Sequence, residues 1–361
     1  MASSSLISAS CLEQRNQTST SVIMWLLHAN AYAGAVFGLL ANGLLIAALR
    51  NFSASHFVAY RSFFYVNSTI DMCEALLLAI TEPLWTISDG LLVAKPFGLA
   101  TNLGPGGTSI LTICAFWFVL LSMLYLPTTY VYRSIRLMRR AKAALICSVL
   151  TSTIPFPIII HLCFIPGDDF RDKIGQLSSC LFSVDFHDDD AVFGVRIRSL
   201  AFIYMVTSAF IPIALHYFLA VLCSAFLYTS LGTNHQTTAQ SAKTARLQTQ
   251  LKRTLITQAL SPICFGSLPS ATFVSIALFD IKVPLLVIVL PLLLPWIGFG
   301  NSLVIFAFLR PIRKIAINLL TSWLPTKLRT RIVRHDTNMS QTDKKIDAVP
   351  RSDSKRLADV T

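Results

Sequence analysis

Charge is what this sequence has least of. Only 13% of its 361 residues are Asp, Glu, Lys or Arg, against roughly 25% in a soluble domain. The deficit falls in long apolar runs, with 54% hydrophobic residues and a mean hydropathy of +0.62. That excludes a soluble globular domain and points to a polytopic helical membrane protein. Paired cysteines are missing too. The eight Cys are scattered with no CxxC pair, so neither a metal site nor a disulfide scaffold is indicated. No basic n-region precedes a short apolar stretch and a small-residue cleavage site. The first apolar segment begins near Val22 and is too long for a signal peptide, so it is expected to stay as the first span.

Other absences remove function classes. No Lys lies between Lys282 and Lys314, so the last span has no partner for a retinal Schiff base. His161 and His216 are single and far apart, and no nucleophile–base pair or metal cluster stands at depth, which argues against an intramembrane enzyme and against a bound cofactor. A transporter or ion channel, the alternative reading, would favour inverted repeats or ionisable residues on several spans. Here the acidic residues within spans are confined to the second, and no internal repeat is found. The net charge of +12 could suggest nucleic acid. It concentrates, however, in a few loops and one tail beside apolar spans, which suits anionic-lipid contact and not nucleic acid.

What is present is organised around residues 110–142. A run from Ile110 to Tyr130 is long enough to cross a bilayer, and it ends in Arg133, Arg136, Arg139, Arg140 and Lys142. Lys and Arg crowd the cytoplasmic side of such spans. Seven spans are expected, roughly at 23–49, 62–87, 108–130, 143–165, 199–228, 254–279 and 284–309. With residues 1–22 outside, the inner loops and tail hold two, five, four and twelve positive residues, 23 of the 30. The outer side keeps seven, and its 166–198 loop carries seven Asp. The N-terminus is therefore expected outside and the C-terminus inside.

The sequon at Asn16 would face the lumen and could be glycosylated. Those at Asn51 and Asn338 fall inside, and the one at Asn67 within a span. After the bundle (23–309), Ile312, Ile315, Ala316, Leu319, Leu320 and Trp323 recur at helical spacing beside Arg313 and Lys314. They predict an amphipathic helix over 310–325 on the inner membrane surface. No Cys follows Cys264, so palmitoyl anchoring is excluded there. The polar tail 326–361 reads as disordered.

Several residues carry candidate chemistry. Asp71 lies near mid-depth in the second span, where a carboxylate costs several kcal/mol unless solvated or paired. Asn42 and Asn301 are its natural hydrogen-bonding neighbours. The three predict a buried polar network, either one that rearranges or one that only holds the bundle together. Glu82, Trp85, Thr112, Trp117, Tyr204 and Phe273 are candidates to line an outer cavity, although aromatic residues in spans ordinarily pack in the core. Cys180 could bridge to the third span, but Cys114 lies one to two turns too deep for that pairing.

Three stretches narrow the family. They are Tyr130-Val131-Tyr132-Arg133, the entry into the sixth span from Leu247-Gln248-Thr249-Gln250 to Ser261-Pro262, and the seventh from Pro295 through Asn301 to Arg310-Pro311-Ile312-Arg313. Seven spans with the N-terminus outside resemble a G-protein-coupled receptor. The three stretches, in order and spacing, resemble the nematode serpentine chemoreceptors of the Str superfamily (Str-, Srd- and Srh-like) over about residues 23–320. Ser134 departs from the pattern, where that family often has an aromatic.

The resemblance implies an all-α seven-transmembrane bundle at the plasma membrane, and a sensory cilium as its place. A small-molecule odorant or pheromone would bind in the outer cavity, and a heterotrimeric G protein would be engaged inside by Tyr132, Arg133, Arg139, Arg140, Lys252 and Arg253. Arg133 sits where receptors of this type link the third and sixth helices, a task that suits the guanidinium fork. No acidic residue precedes it. The step from Asn42 to Asp71 also resembles that between paired polar residues of rhodopsin-like receptors.

Overall fold

The computed structural model describes residues 17–52, 58–88, 90–134, 148–163, 193–233, 257, 263–279, 281 and 290–322. Helices dominate. We number them α1 (Gln17–Arg50), α2 (Val58–Thr81), α3 (Gly104–Ser134), α4 (Pro155–Cys163, preceded by helical residues 148–153), α5 (Leu200–Thr233), α6 (Leu268–Phe279), α7 (Ile297–Phe308) and α8 (Arg310–Thr321). A π-helical turn, Ile263–Ser267, leads into α6, and a 3₁₀ stretch, Leu290–Trp296, leads into α7.

Among the described residues, Trp25–Arg50, Arg61–Thr81, Leu99–Thr128 and Leu200–Leu222 are each long and apolar enough to cross a bilayer. Ser148–Cys163 and Ile263–Phe279 are shorter apolar helices. The outward faces are greasy. Only 17% of the apolar window of α5 is buried, and Leu200, Ile211, Phe218 and Val221 all stand exposed. Apolar side chains in that number face lipid, where every backbone polar group is satisfied within its own helix. The chain is a polytopic helical membrane protein.

The second span differs from its sequence-based outline. α2 stops at Thr81 and does not run on to 87. Pro83 has no N–H to continue a helix and disfavours helical geometry in the residue before it. Glu82 accordingly takes φ +40°. The residues that follow form a strand, β1 (Pro83–Ser88), paired antiparallel with β2 (Leu91–Pro96) from Pro83↔Pro96 to Ser88↔Leu91. Gly90, just before β2, adopts φ +72°, the left-handed conformation that tight hairpin turns use. β3 (Phe193–Arg196) adds on the far side of β2, giving the order β1-β2-β3. All six residues of the central strand are buried.

The sheet covers one end of the bundle. Leu92, Ala94, Phe193 and Val195 join a core with Leu78 of α2, Leu120 of α3, Phe156 of α4, Phe202 of α5, Ala277 of α6 and Ile297 of α7. At the opposite end a second core gathers Leu45 and Leu49 of α1, Phe64 of α2, Val131 of α3, Ile305 of α7, and Ile312 and Ala316 of α8. The chain turns by 107° between the seventh helix and α8. Leu309 leaves helical geometry (φ −92°, ψ 83°), and Pro311 sits in the first turn of α8, where a missing N–H costs nothing. His216 ties α5 to the start of α4. Its Nδ1 donates to Pro212 O (2.8 Å) and its Nε2 accepts from Ser148 Oγ (3.3 Å).

Candidate functional site

Two buried centres stand out, one between the cores and one within the core under the sheet. The first is polar and built around Asp71, which is completely buried. Asn67 Nδ2, one turn earlier on α2, donates to Asp71 Oδ2 (2.9 Å). Asn301 Nδ2 of α7 donates to both carboxyl oxygens (3.2 Å each), and Ser122 Oγ of α3 donates to Oδ1 (3.4 Å). Donors from three helices therefore meet one carboxyl group, the arrangement that makes burying it tolerable.

Asn42 takes a different part from the one expected. It does not bond Asp71. Its Nδ2 donates to the carbonyls of Gly38 (3.0 Å) and Gly298 (3.1 Å), and its Oδ1 accepts from Ser302 Oγ (2.8 Å). Gly298 is the hinge between the two halves. A Cβ there would stand 3.0 Å from Asp71 Cβ and 3.5 Å from Asn42 Nδ2, so a larger residue would push α2 and α7 apart by a few tenths of an ångström. Glu74, also buried, neighbours Asp71 and Ser122, yet neither of its oxygens has a hydrogen-bond partner among the described residues. The i, i+4 spacing of Asn67 and Asp71 was the available signal for Asn67, whereas Ser122 and Ser302 had none.

The second centre is apolar. A cavity of about 180 Å³ lies under the sheet. Its walls come from β1, β2 and every helix from α3 to α6, with Leu294 from the stretch before α7. Trp85, Phe116 and Phe273 line it, with the Trp85 ring tilted against Phe116 (centroids 5.0 Å apart) and edge-on to Phe273 (5.7 Å). Ser267 and Ser270 are its only polar residues among those described. Next to it is a smaller cavity of about 60 Å³, walled by His28, Asn30, Glu82, Phe97, Leu292 and Pro295 among others. Trp85 and Leu294 line both. Glu82 is buried and pairs with His28 Nδ1.

Of the expected lining residues, Trp85 and Phe273 reach the larger cavity and Glu82 the smaller. The other three do not. Thr112 is buried within α3 and donates to its own Thr108 O (2.8 Å). Trp117 packs on Phe118 away from either cavity. Tyr204 is 60% exposed on the outer face of α5. Tyr132 and Arg133 lie in the last turn of α3. Asn16, Arg139, Arg140, Lys252, Arg253 and Cys180 lie outside the described residues. Cys114 carries a free thiol.

The comparison with protein families returns one finding. A family model described as serpentine type 7TM GPCR chemoreceptor Srd matches residues 29–318, from α1 into α8. No curated protein matches the chain.

Proposed function

The chain belongs to the Srd family of serpentine seven-transmembrane G-protein-coupled chemoreceptors, and from that premise we propose that a small molecule in the 180 Å³ cavity under the sheet switches the bundle to a state that activates a heterotrimeric G protein. The observation that carries this is the cavity itself. Protein interiors close such voids unless something fills them, and this one opens among α3, α5 and α6, between which rearrangement could reach the far end of the bundle. A ligand that fits one arrangement better than the other shifts the population toward it.

The sheet end then faces outside, as the distribution of Lys and Arg indicates, with Asn16 in reach of glycosylation. The end of α3 and the loops that follow α3 and α5 face the cytoplasm. Tyr132, Arg133, Arg139, Arg140, Lys252 and Arg253 form the coupling face there. α8 lies on the inner leaflet, and Asn42, Asp71 and Asn301 form the polar network that stands between the two ends. The receptor works at the plasma membrane, in a sensory cilium.

A G-protein reporter assay in cells expressing the full chain tests this, with a mixed panel of volatile and water-soluble compounds as stimulus. A response that Arg133→Ala abolishes at unchanged surface level supports the reading. A ligand-evoked current or uptake independent of G protein would move the chain to the channel or transporter class.

A further inference from the structure

The cavity reading leaves open what the ligand must carry, and the inference here rests on that reading. We infer that the ligand bears a hydrogen-bond donor, a hydroxyl or an amine, which Glu82 receives in the smaller cavity while an apolar body of aromatic size fills the larger one.

Glu82 is held in place for such a role. It follows the last residue of α2, its N–H bonds Leu78 O (2.8 Å), and its carbonyl accepts from Phe97 N–H (3.3 Å). Between these ties the backbone sits at φ +40°, a region costly for a side chain of this kind and one found disproportionately at functional sites. From this backbone position its side chain lines the smaller cavity.

One carboxyl oxygen is occupied there and one is not. Oε2 pairs with His28 Nδ1, and the Tyr32 hydroxyl, one turn along α1, also hydrogen-bonds the carboxyl group. Oε1 is buried with no hydrogen-bond partner among the described residues. The other polar wall is already committed. Asn30 Nδ2 donates to Leu292 O (3.0 Å), and its Oδ1 accepts from Trp296 Nε1 (3.1 Å). Among the described residues that line this cavity, Glu82 Oε1 is therefore the buried polar atom left open. A carboxylate oxygen only accepts, so the group it lacks is a donor.

Volume sets the rest. A cavity of about 150 Å³ lined by Leu, Ile and Phe takes benzene, and this one, at about 180 Å³, takes a ring with a short substituent. Trp85 and Leu294 line both spaces, and the ligand inferred here would pass its substituent between these two side chains to reach Glu82. An aldehyde, ketone or ester would set oxygen against oxygen, and a hydrocarbon would leave Oε1 dry and unpaired.

The test uses the full-length receptor reconstituted in lipid nanodiscs, with affinities from ligand-induced shifts in thermal melting, which need no G protein. The probes are toluene, benzaldehyde, benzyl alcohol and benzylamine, alike in size. Benzyl alcohol and benzylamine are expected to bind about 10- to 100-fold more tightly than toluene or benzaldehyde, the range for a hydrogen bond to a charged acceptor. Glu82→Gln, whose amide both donates and accepts, should compress that spread to about threefold while leaving toluene unchanged. His28→Leu has no donor, so it keeps Glu82 and frees its second oxygen; it should raise donor affinity, and it serves if Glu82→Gln does not fold. Equal binding of all four probes, or a donor preference that survives in Glu82→Gln, overturns the donor assignment and leaves the cavity reading standing. Failure of all four to shift the melt overturns both.

Discussion

The two buried centres handle burial in opposite ways. Around Asp71 the bundle is polar and closed, with donors from α2, α3 and α7 converging on one carboxyl group and Gly298 stripped of any side chain so that the helices can meet. Under the sheet it is apolar and open, with about 180 Å³ unfilled among aromatic and aliphatic walls. The Asp71 centre spends its atoms on mutual satisfaction, whereas the sheet-end centre keeps room.

The sharpest way to break this contrast is to remove the acceptor at the polar centre. Asp71→Ala leaves Asn67, Asn301 and Ser122 donors buried without a partner and should cost about 3 kcal/mol, read as a lower melting temperature and reduced surface expression. Asp71→Asn keeps an acceptor and should cost less. Normal expression and normal ligand response in Asp71→Asn would show that the network has no part in switching. Three residues along the same helix the sign should reverse. Glu74 has no hydrogen-bond partner among the described residues, so Glu74→Met, similar in volume, should leave stability unchanged or raise it by about 1–2 kcal/mol. A loss as large as that of Asp71→Ala would mean that Glu74 is satisfied by something other than those residues.

Filling the open centre sharpens the comparison from the other side. Ala209 lines the large cavity, and Ala209→Phe should raise the melting temperature of the unliganded protein, by the equivalent of about 1 kcal/mol, while abolishing the ligand response. A destabilised protein would show that the walls are packed too tightly for a ligand. The smallest effect belongs to α8. Lys314 is exposed beside the buried Ile312 and Ala316, and Lys314→Ala should weaken association with anionic vesicles by at most about 1 kcal/mol, measured with a peptide spanning 310–325.

How much of this the sequence carries depends on the kind of feature. Four described helices are long and apolar enough to cross a bilayer, and helical residues stand within each of the other three expected spans, because a span is a local property, about twenty apolar residues without charge. Asp71 was legible for the same reason, since one carboxylate in an apolar run stands out wherever its neighbours lie. The family was legible from three short stretches. The hairpin was legible in principle, from Pro83, the β-branched and aromatic residues after it, and Asp89-Gly90, but the apolar run hid it.

The facing of side chains was decided by tertiary structure alone. Thr112 and Trp117 turn away from the cavities, Tyr204 turns outward, and Trp85 arrives on a strand instead of a helix. Asn42 serves Gly298 and Ser302 in place of Asp71. In water, a helix shows its inner face by the period of its apolar residues. In a membrane, lipid is as apolar as the core, so a helix such as α5, apolar on every side, carries no periodic mark of the side that meets its neighbours. Depth and number of spans are written residue by residue, while rotation about each helix axis is set only when the helices pack.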